Sequence, residues 1–284
     1  MRTPTSAPAL RLRAYAKINR GLRVLRRRPD GYHEIDTVMQ SVDLYDTLTL
    51  QPRGDEEISL TMSPDGGIPP EENLALRAAR LLRERVGLPR GVHIVLEKRI
   101  PVGAGLGGGS SDAAAVLQGL NALFELGLER RALRDLASEL GSDVPFFLVG
   151  GRCRARGRGE RLQPLSVPEA ERRQIYVLLV PPFSLRAQEV YQAWDRGIPR
   201  APASPYPNDL EGAALALRPE LAVYREFLVE AGSPFGLSGS GPAYFAVAPE
   251  EEAVRLAEGA KRELPRGTQV FLCRGTAVGA EIVA

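Results

Sequence analysis

Five of the twelve residues from Pro101 to Asp112, Pro-Val-Gly-Ala-Gly-Leu-Gly-Gly-Gly-Ser-Ser-Asp, are glycine. A β-like run, Val92 to Ile100, leads into this stretch. An apolar helical pattern leaves it at once: Ala113, Ala114, Ala115, Val116, Leu117, Leu120 and Phe124. Glycine permits tight turns and close approach of the backbone to a ligand. Ser110, Ser111 and Asp112 are residue types that cap helices. A glycine loop feeding a helix N-terminus presents free N–H groups and the positive end of the helix dipole, which is phosphate-binding chemistry. Gly107 and Gly108 are the expected points of closest approach.

The residues alone leave three readings of this loop. It is not a Walker A loop, because no lysine follows the last glycine before Ser110. Gly103, Gly105 and Gly108 form a formal G-x-G-x-x-G, the dinucleotide fingerprint. That fold needs a second strand soon after the helix, ending in an acidic residue about 20 positions on. Here Glu129 to Leu140 reads as a second helix instead. A mobile surface loop is the third reading, and it leaves the direct passage into an apolar helix unexplained.

The elements around the loop follow from periodicity. Leu10 to Ala16 and Leu22 to Leu25 read as strands, separated by Ala16-Lys17-Ile18-Asn19. Arg26-Arg27-Arg28 precedes a Pro-Asp-Gly turn; the triplet reads as a solvated face or as an electropositive rim for a phosphorylated substrate. Thr37 to Leu50 and Ile58 to Met62 read as strands, and Ser63 to Pro70 as a loop. Glu71-Glu72-Asn73 opens a helix with Leu74, Ala78, Leu81, Leu82 and Val86 on its apolar face and acidic residues in its first turn. Gly141-Ser142-Asp143-Val144-Pro145 has the form of a helix start, where an aspartate is commonly a cap. Arg152 to Arg161 reads as an exposed strand and hairpin. A boundary is expected in the polar segment Leu165 to Arg173. Beyond it come a buried strand, Ile175 to Val180, and helices Arg186 to Trp194, Leu221 to Ala231 and Glu250 to Leu264. The glycine-rich Gly236 to Pro242 leads into a strand, Ala243 to Val247, and Gln269 to Leu272 is the last strand. His93 reads as structural.

Composition bounds the class. The 284 residues carry a formal net charge of only +2, which gives no bias toward nucleic acid. No apolar run approaches membrane-spanning length, and Met1 to Ala9 reads as a short flexible lead without a signal-peptide core. Two distant cysteines, Cys153 and Cys273, stand in no metal spacing and fit a reducing cytoplasm.

Three short motifs in order carry a resemblance: Ala16-Lys17-Ile18-Asn19, Pro101 to Ser111, and Leu237-Ser238-Gly239-Ser240-Gly241. Together they resemble the GHMP small-molecule kinases. Asp30-Gly31-Tyr32-His33, Glu72-Asn73-Leu74, Gly141 to Pro145 and Asn208-Asp209-Leu210-Glu211 narrow the resemblance to members that phosphorylate the 2-hydroxyl of a cytidine-diphosphate-linked methylerythritol with ATP. The resemblance implies an α+β fold of two domains, residues 1–164 and 165–284, the second a ferredoxin-like sandwich, with the active site in the cleft between them. Asp143 is then the catalytic base and Lys17 its partner. Pro101, Val102, Gly103, Ala104, Gly105, Leu106, Gly107, Gly108, Gly109, Ser110 and Ser111 hold the ATP phosphates, with Asn73 and Lys98 also on the nucleotide side. Asn19, Ser238 and Gly239 serve the substrate, and Tyr32, His33 and Tyr191 are the cytosine pocket, by ring stacking and a histidine hydrogen bond. Mg2+ is expected with ATP. No carboxylate pair marks its site, so no residue is assigned as a metal ligand beyond help from Ser110 or Ser111. The partner is a small molecule, with neither nucleic acid nor membrane involved.

These roles are chemically sensible. An alcohol is a weak nucleophile, and a carboxylate placed to take its proton helps. The charge on a phosphoryl group in flight needs a cation and aligned dipoles. Of the 37 basic residues only Lys17, Lys98 and Lys261 are lysines. In a chain so biased to arginine, a lysine at position 17 suggests that a compact ammonium is required there.

Overall fold

The computed structural model describes residues 9–65 and 67–283, so the expected N-terminal lead lies almost wholly outside the described residues. In chain order the strands are β1 (Leu10–Arg27), β2 (His33–Pro52), β3 (Ile58–Ser63), β4 (Val92–Glu97), β5 (Arg152–Gly157), β6 (Arg161–Pro164), β7 (Ile175–Val180), β8 (Phe235–Leu237), β9 (Tyr244–Ala248), β10 (Gln269–Arg274) and β11 (Ala280–Val283). The helices are α1 (Leu74–Val86), α2 (Gly108–Leu123), α3 (Arg130–Leu140), α4 (Val144–Val149), α5 (Glu169–Arg172), α6 (Ala187–Asp195), α7 (Glu211–Leu217), α8 (Ala222–Ala231) and α9 (Glu250–Glu263). None is long and apolar enough to cross a membrane among the described residues.

Two sheets organise the molecule. The first runs β11-β1-β2-β4-β3; β5 pairs with the early half of β2, and β6 pairs with β5. The second is β10-β7-β9-β8 and is antiparallel throughout. The two strands expected at 10–16 and 22–25 are one strand, β1, whose register against β2 shifts at Tyr15/Ala16 and at Asn19/Leu22. The Lys17–Asn19 motif thus lies inside a strand between two bulges, which re-aim side chains without ending the ladder. The expected C-terminal unit does not keep its last strand: β11 returns to pair with β1 in the first sheet, with Arg11 opposite Val283 and Ala14 opposite Ala280.

The apolar patterns explain the layers. Leu12 and Ala14 of β1, Leu48 and Leu50 of β2, and Val92, Ile94 and Leu96 of β4 pack against α1 and the fully buried Ala113–Leu117 of α2. In β7 every residue is apolar because both faces are covered. Ile175, Val177 and Leu179 meet the helices of the second layer, while Tyr176, Leu178 and Val180 meet Ala16, Ile18, Val42 and the loop residues Ile100, Ala104 and Leu106. This middle cluster joins the two sheets beneath the glycine loop. The first turn of α1 holds no acidic residue; Glu71 and Glu72 precede the cap, Asn73, whose Oδ1 accepts from the Ala75 and Leu76 amides. Val86, expected on its apolar face, is 42% exposed. His93 is structural, bonded to Ser59 and Thr61.

A candidate active site in the cleft above the glycine loop

A cleft of about 950 Å3 opens above the loop, lined by residues 101–110 on one side and by Tyr32, His33 and Tyr191 on the other. The loop's carbonyls are turned into the protein. Gly103 O accepts from the Leu185 amide, Ala104 O from the Ala243 amide and Leu106 O from the Lys17 amide. Gly105 O accepts from both Lys17 Nζ, at 2.9 Å, and Ser238 Oγ, at 3.0 Å. The amides of residues 102–110 donate to no acceptor among the described residues. A run of N–H groups without protein acceptors therefore lies along the cleft lining at the start of α2. Gly107, at φ +74°, takes the N-cap position, and no side chain caps the helix. The capping expected of Ser110, Ser111 or Asp112 is thus absent, and the helix end stays free for an anion.

Three loop residues have partners inside the protein. Ser110 lines the cleft, but Ser111 is fully buried, with its hydroxyl on the Gly279 carbonyl at 3.4 Å. Gly107 and Gly108 line the cleft and are also required by packing. A Cβ at Gly107 would stand 2.8 Å from the Phe147 ring and 3.0 Å from Lys17 Cγ; one at Gly108 would stand 3.0 Å from Ile100 Cγ2.

Lys17 is almost wholly buried, and its ammonium is held by three acceptors: Asn19 Oδ1 at 2.6 Å, Gly105 O at 2.9 Å and Asp143 Oδ2 at 3.4 Å. Asp143 occupies the N-cap position of α4, yet its side chain makes no cap bond, and it lines the cleft about one-third exposed. The helix thus places the carboxylate without consuming it. Asn19, expected to donate to the substrate, lines the cleft but is also engaged internally: Oδ1 accepts from Lys17 Nζ and Nδ2 donates to Thr37 Oγ1 at 3.0 Å. Thr37, which sequence reasoning did not single out, passes the chain of bonds on to the Gly21 carbonyl.

Lys98 lines the cleft, but its charge is spent on two buried carboxylates, Asp46 at 2.5 Å and Asp112 at 2.7 Å. Asp46 Oδ1 also takes the amides of Arg99 and Ile100. Burial pushes the Asp112 carboxyl upward against the pull of Lys98, and Asp46 adds to the rise. Burial opposes the charge of Lys98, but Asp112 and Asp46 outweigh it and hold the ammonium above its usual range. This triad ties β2, the end of β4 and the first turn of α2 together at the root of the loop. Asn73 lines the cleft while capping α1. Ser238 does not line it: the side chain is buried on Gly105, whereas its neighbours Gly239 and Ser240 do reach the wall.

The far end of the cleft is aromatic. His33 and Tyr191 stack on each other, ring centroids 4.7 Å apart and planes 21° from parallel, and His33 meets Trp194 edge-on. His33 Nε2 lies 2.8 Å from Asp195 Oδ1. Burial, and then the nearby Asp143 charge, raise the Tyr191 hydroxyl well above the usual tyrosine range. Tyr32 is 51% exposed, with the Arg158 guanidinium 4.6 Å over its ring. Of the arginine triplet, Arg27 reaches the cleft wall, while Arg28 pairs with Asp30 and Glu34. The expected exposed hairpin is exposed only in part, since Arg152 and Cys153 are buried. Gln188, Gln192 and Asp195, all on the wall with Tyr191, were not anticipated. Their spacing of three, four and seven residues along one helix face was the available signal. No group of three or more His, Cys, Asp or Glu side chains able to hold a metal occurs among the described residues.

Comparison with known proteins agrees with this geometry. The model for the GHMP kinases N terminal domain matches residues 73–151, and that for the GHMP kinases C terminal domain matches residues 187–266. The 4-diphosphocytidyl-2-C-methyl-D-erythritol kinase of Pelotomaculum thermopropionicum is 42% identical over 85% of this chain and 90% of its own length. The protein of the same name from Gloeobacter violaceus is 39% identical over 95% of both chains. A crystal structure of a 4-(cytidine 5'-diphospho)-2C-methyl-D-erythritol kinase superposes with a TM-score of 0.75 at 39% identity, over 94% of this chain and all of that one. A homoserine kinase from Cytophaga hutchinsonii, 19% identical, shares the fold with a TM-score of 0.77 over 100% of this chain and 99% of its own. A glycine loop with its amides free, a lysine–aspartate pair beside it and an aromatic end wall thus sit on a chain of matching length and fold, and the chain belongs to the GHMP kinases, among the 4-diphosphocytidyl-2-C-methyl-D-erythritol kinases.

Proposed function

We propose that the protein transfers a phosphoryl group from ATP to the 2-hydroxyl of 4-diphosphocytidyl-2-C-methyl-D-erythritol, a step of the non-mevalonate route to isoprenoid precursors. The observation that carries this reading is the Lys17–Asp143 pair, 3.4 Å apart at the wall of a cleft that joins free loop amides to stacked aromatic side chains. ATP supplies the activated phosphoryl group. Asp143 accepts the hydroxyl proton as the alcohol attacks, and Lys17 balances the charge that builds on the transferred group. The amides of residues 102–110 and the uncapped start of α2 bind and orient the phosphates. Tyr32, His33 and Tyr191 receive the cytosine, where each stacked ring contributes about 1–3 kcal/mol.

The donor set fits a nucleotide-borne Mg2+ rather than a resident one. Ser110 is the loop's hydroxyl at the wall, where Ser142 and Ser240 also stand; Asp143 is paired with Lys17, and Asp112 with Lys98. Mg2+ bound with ATP would be held mainly by phosphate oxygens, with Ser110 as the protein's contribution, and would supply positive charge to the transferred group. The two buried free cysteines support a cytoplasmic setting. The test is ATP-dependent phosphorylation across a panel of this substrate, homoserine and mevalonate. Selective turnover of the cytidylylated alcohol is expected, and turnover of either alternative in its place would replace this reading.

A further inference from the structure

Asn208 belongs to the Asn208-Asp209-Leu210-Glu211 stretch, which the phosphoryl-transfer chemistry leaves unused. The side chain is buried, and its amide is fully occupied. Nδ2 donates to the carbonyls of Leu237 at 2.9 Å and Gly239 at 2.7 Å, and Oδ1 accepts from the Leu210 amide at 2.9 Å. The segment that carries it is bonded to β1 just past Asn19. The Leu22 amide donates to Pro207 O, the Asp209 amide to Leu22 O, and the Val24 amide to Asp209 Oδ2, each at 2.9 Å. On its other side, Asn208 holds the turn that presses on Lys17. Gly239 sits at φ +58°, and a Cβ there would stand 3.2 Å from Lys17 Nζ and 3.3 Å from Asn19 Oδ1. The neighbouring Ser238 donates to the same Gly105 carbonyl that Lys17 uses.

From this we infer that Asn208 is a positioning residue for phosphoryl transfer: it fixes Gly239 as the back wall of the Lys17 ammonium, so that Lys17 has one place to stand beside Asp143. Asn208 is not part of the cleft lining. Its two donors clamp adjacent turns of the 237–241 loop, and its acceptor locks it to the segment paired with β1. The strand that presents Lys17 and the turn that confines it are therefore referenced to one side chain. Removing the donors leaves two buried carbonyls unpaired and lets Gly239 retreat, which gives the ammonium room to move off its line with Asp143. A displacement of that kind lowers the rate of the chemical step without removing a ligand contact. This inference rests on the role given above to Lys17.

The experiment is a double-mutant cycle with Asn208→Ala, Lys17→Ala and the pair together. Turnover, KM for both substrates, ATP-analogue titration and thermal melting are recorded for each. Asn208→Ala is expected to lose about a hundredfold in kcat, with ATP-analogue affinity little changed and no further loss once Lys17 is already alanine. If Asn208→Ala does not accumulate folded, Asn208→Ser, which keeps a single donor, takes its place in the same cycle. Asn121→Ala is the control for loss of structure alone. Asn121 makes two bonds to Leu128 away from the cleft, and its loss should lower the melting temperature while kcat holds. Losses that simply add across the cycle, or normal kcat in a folded Asn208 variant beside an impaired Lys17→Ala, overturn the role of Asn208 alone. Normal turnover in Lys17→Ala overturns the assignment of Lys17 and this inference with it.

Discussion

Lys17 shows why residue type matters at a single position. Its stem runs past Gly107, where a Cβ would lie 3.0–3.1 Å from Cγ and Cε, and its ammonium ends against Gly239. The slot is the width of an alkyl chain with a compact head. A guanidinium is planar and wider, so it cannot take the three acceptors Asn19, Gly105 and Asp143 without moving one of the walls. Lys17→Arg is therefore expected to retain the fold and ATP-analogue binding while kcat falls about 100- to 1,000-fold. Asp143→Asn, which keeps the shape and removes the base, should lose about 100- to 10,000-fold. Steady-state kinetics with parallel analogue titration checks both, and near-normal turnover in either variant would remove that residue from the chemistry. Gly107 belongs to the same argument. At φ +74° and against the Phe147 ring, it tolerates no side chain. Gly107→Val should thus cost stability, seen as a lower melting temperature, as well as nucleotide affinity.

At the scale of elements, the cleft depends on how β1, β5 and α5 are tied behind it. Arg20, next to Asn19 on β1, and Arg152 on β5 share one carboxylate, Glu171 of α5, at 2.6 and 2.9 Å. Tyr206 and Tyr176 complete the group. Burial works to raise the Glu171 carboxyl, but Arg20 and then Arg152 outweigh it and hold the group below its usual range. A carboxylate whose folded value is depressed stabilises the native state above its unfolded value, and the contribution is lost as pH falls through the folded one. Glu171→Gln should therefore lower the melting temperature near neutral pH, with the gap to the parent chain closing as pH falls below the ordinary carboxylate range. Melting curves across the acid limb check this, and a gap independent of pH would mean that the glutamate acts by packing alone. On the facing wall, α6 contributes Gln188, Tyr191, Gln192 and Asp195 along one face. Tyr191→Ala removes the ring stacked on His33. It should raise KM for the cytidylylated substrate about tenfold, within the range for one stacked base, and leave KM for ATP nearly unchanged. Tyr191→Phe should restore it, and equal loss for both substrates would indicate damage to the helix.

For the molecule as a whole, the two sheets are joined by the return of β11 to β1. That crossing packs Gly279 against the backbone of Phe147 in α4, the helix that carries Asp143 at its start. It also supplies the carbonyl that receives the Ser111 hydroxyl at the head of α2. Truncation after Gly275 would open the edge of β1 and unpack both helices. The melting temperature should fall, by about 2–4 °C for each kcal/mol lost in a domain of this size, and turnover should fall with it. Circular dichroism melting beside the kinase assay measures both, and an unchanged melting temperature would show that β11 is dispensable.

The sequence by itself determined most of the local order. Apolar periodicity identified nearly every strand and long helix, because burial on one face of an element leaves a repeat of two or of three to four residues. Glycine density before an apolar helix identified the phosphate-type loop, because free amides at a helix start are a backbone property that needs no distant partner. Three motifs, spread from residue 16 to residue 241, carried the family. What only the tertiary structure decided is where side chains spend their polar groups. Asn19 and Ser238 were read as substrate contacts; Asn19 lines the cleft while bonded to Lys17 and Thr37, and Ser238 lies off the wall on the Gly105 carbonyl. Lys98 was read as a nucleotide contact, yet two buried carboxylates neutralise it. Asp143 was open between cap and base, and it holds the cap position with its carboxylate turned to Lys17. Each of these outcomes involves a partner outside the residue's own element, 14 to 133 positions away in the chain. Spacing along one element cannot register such a partner, because hydrogen bonds of this kind are set by which strands and turns the packed core brings together.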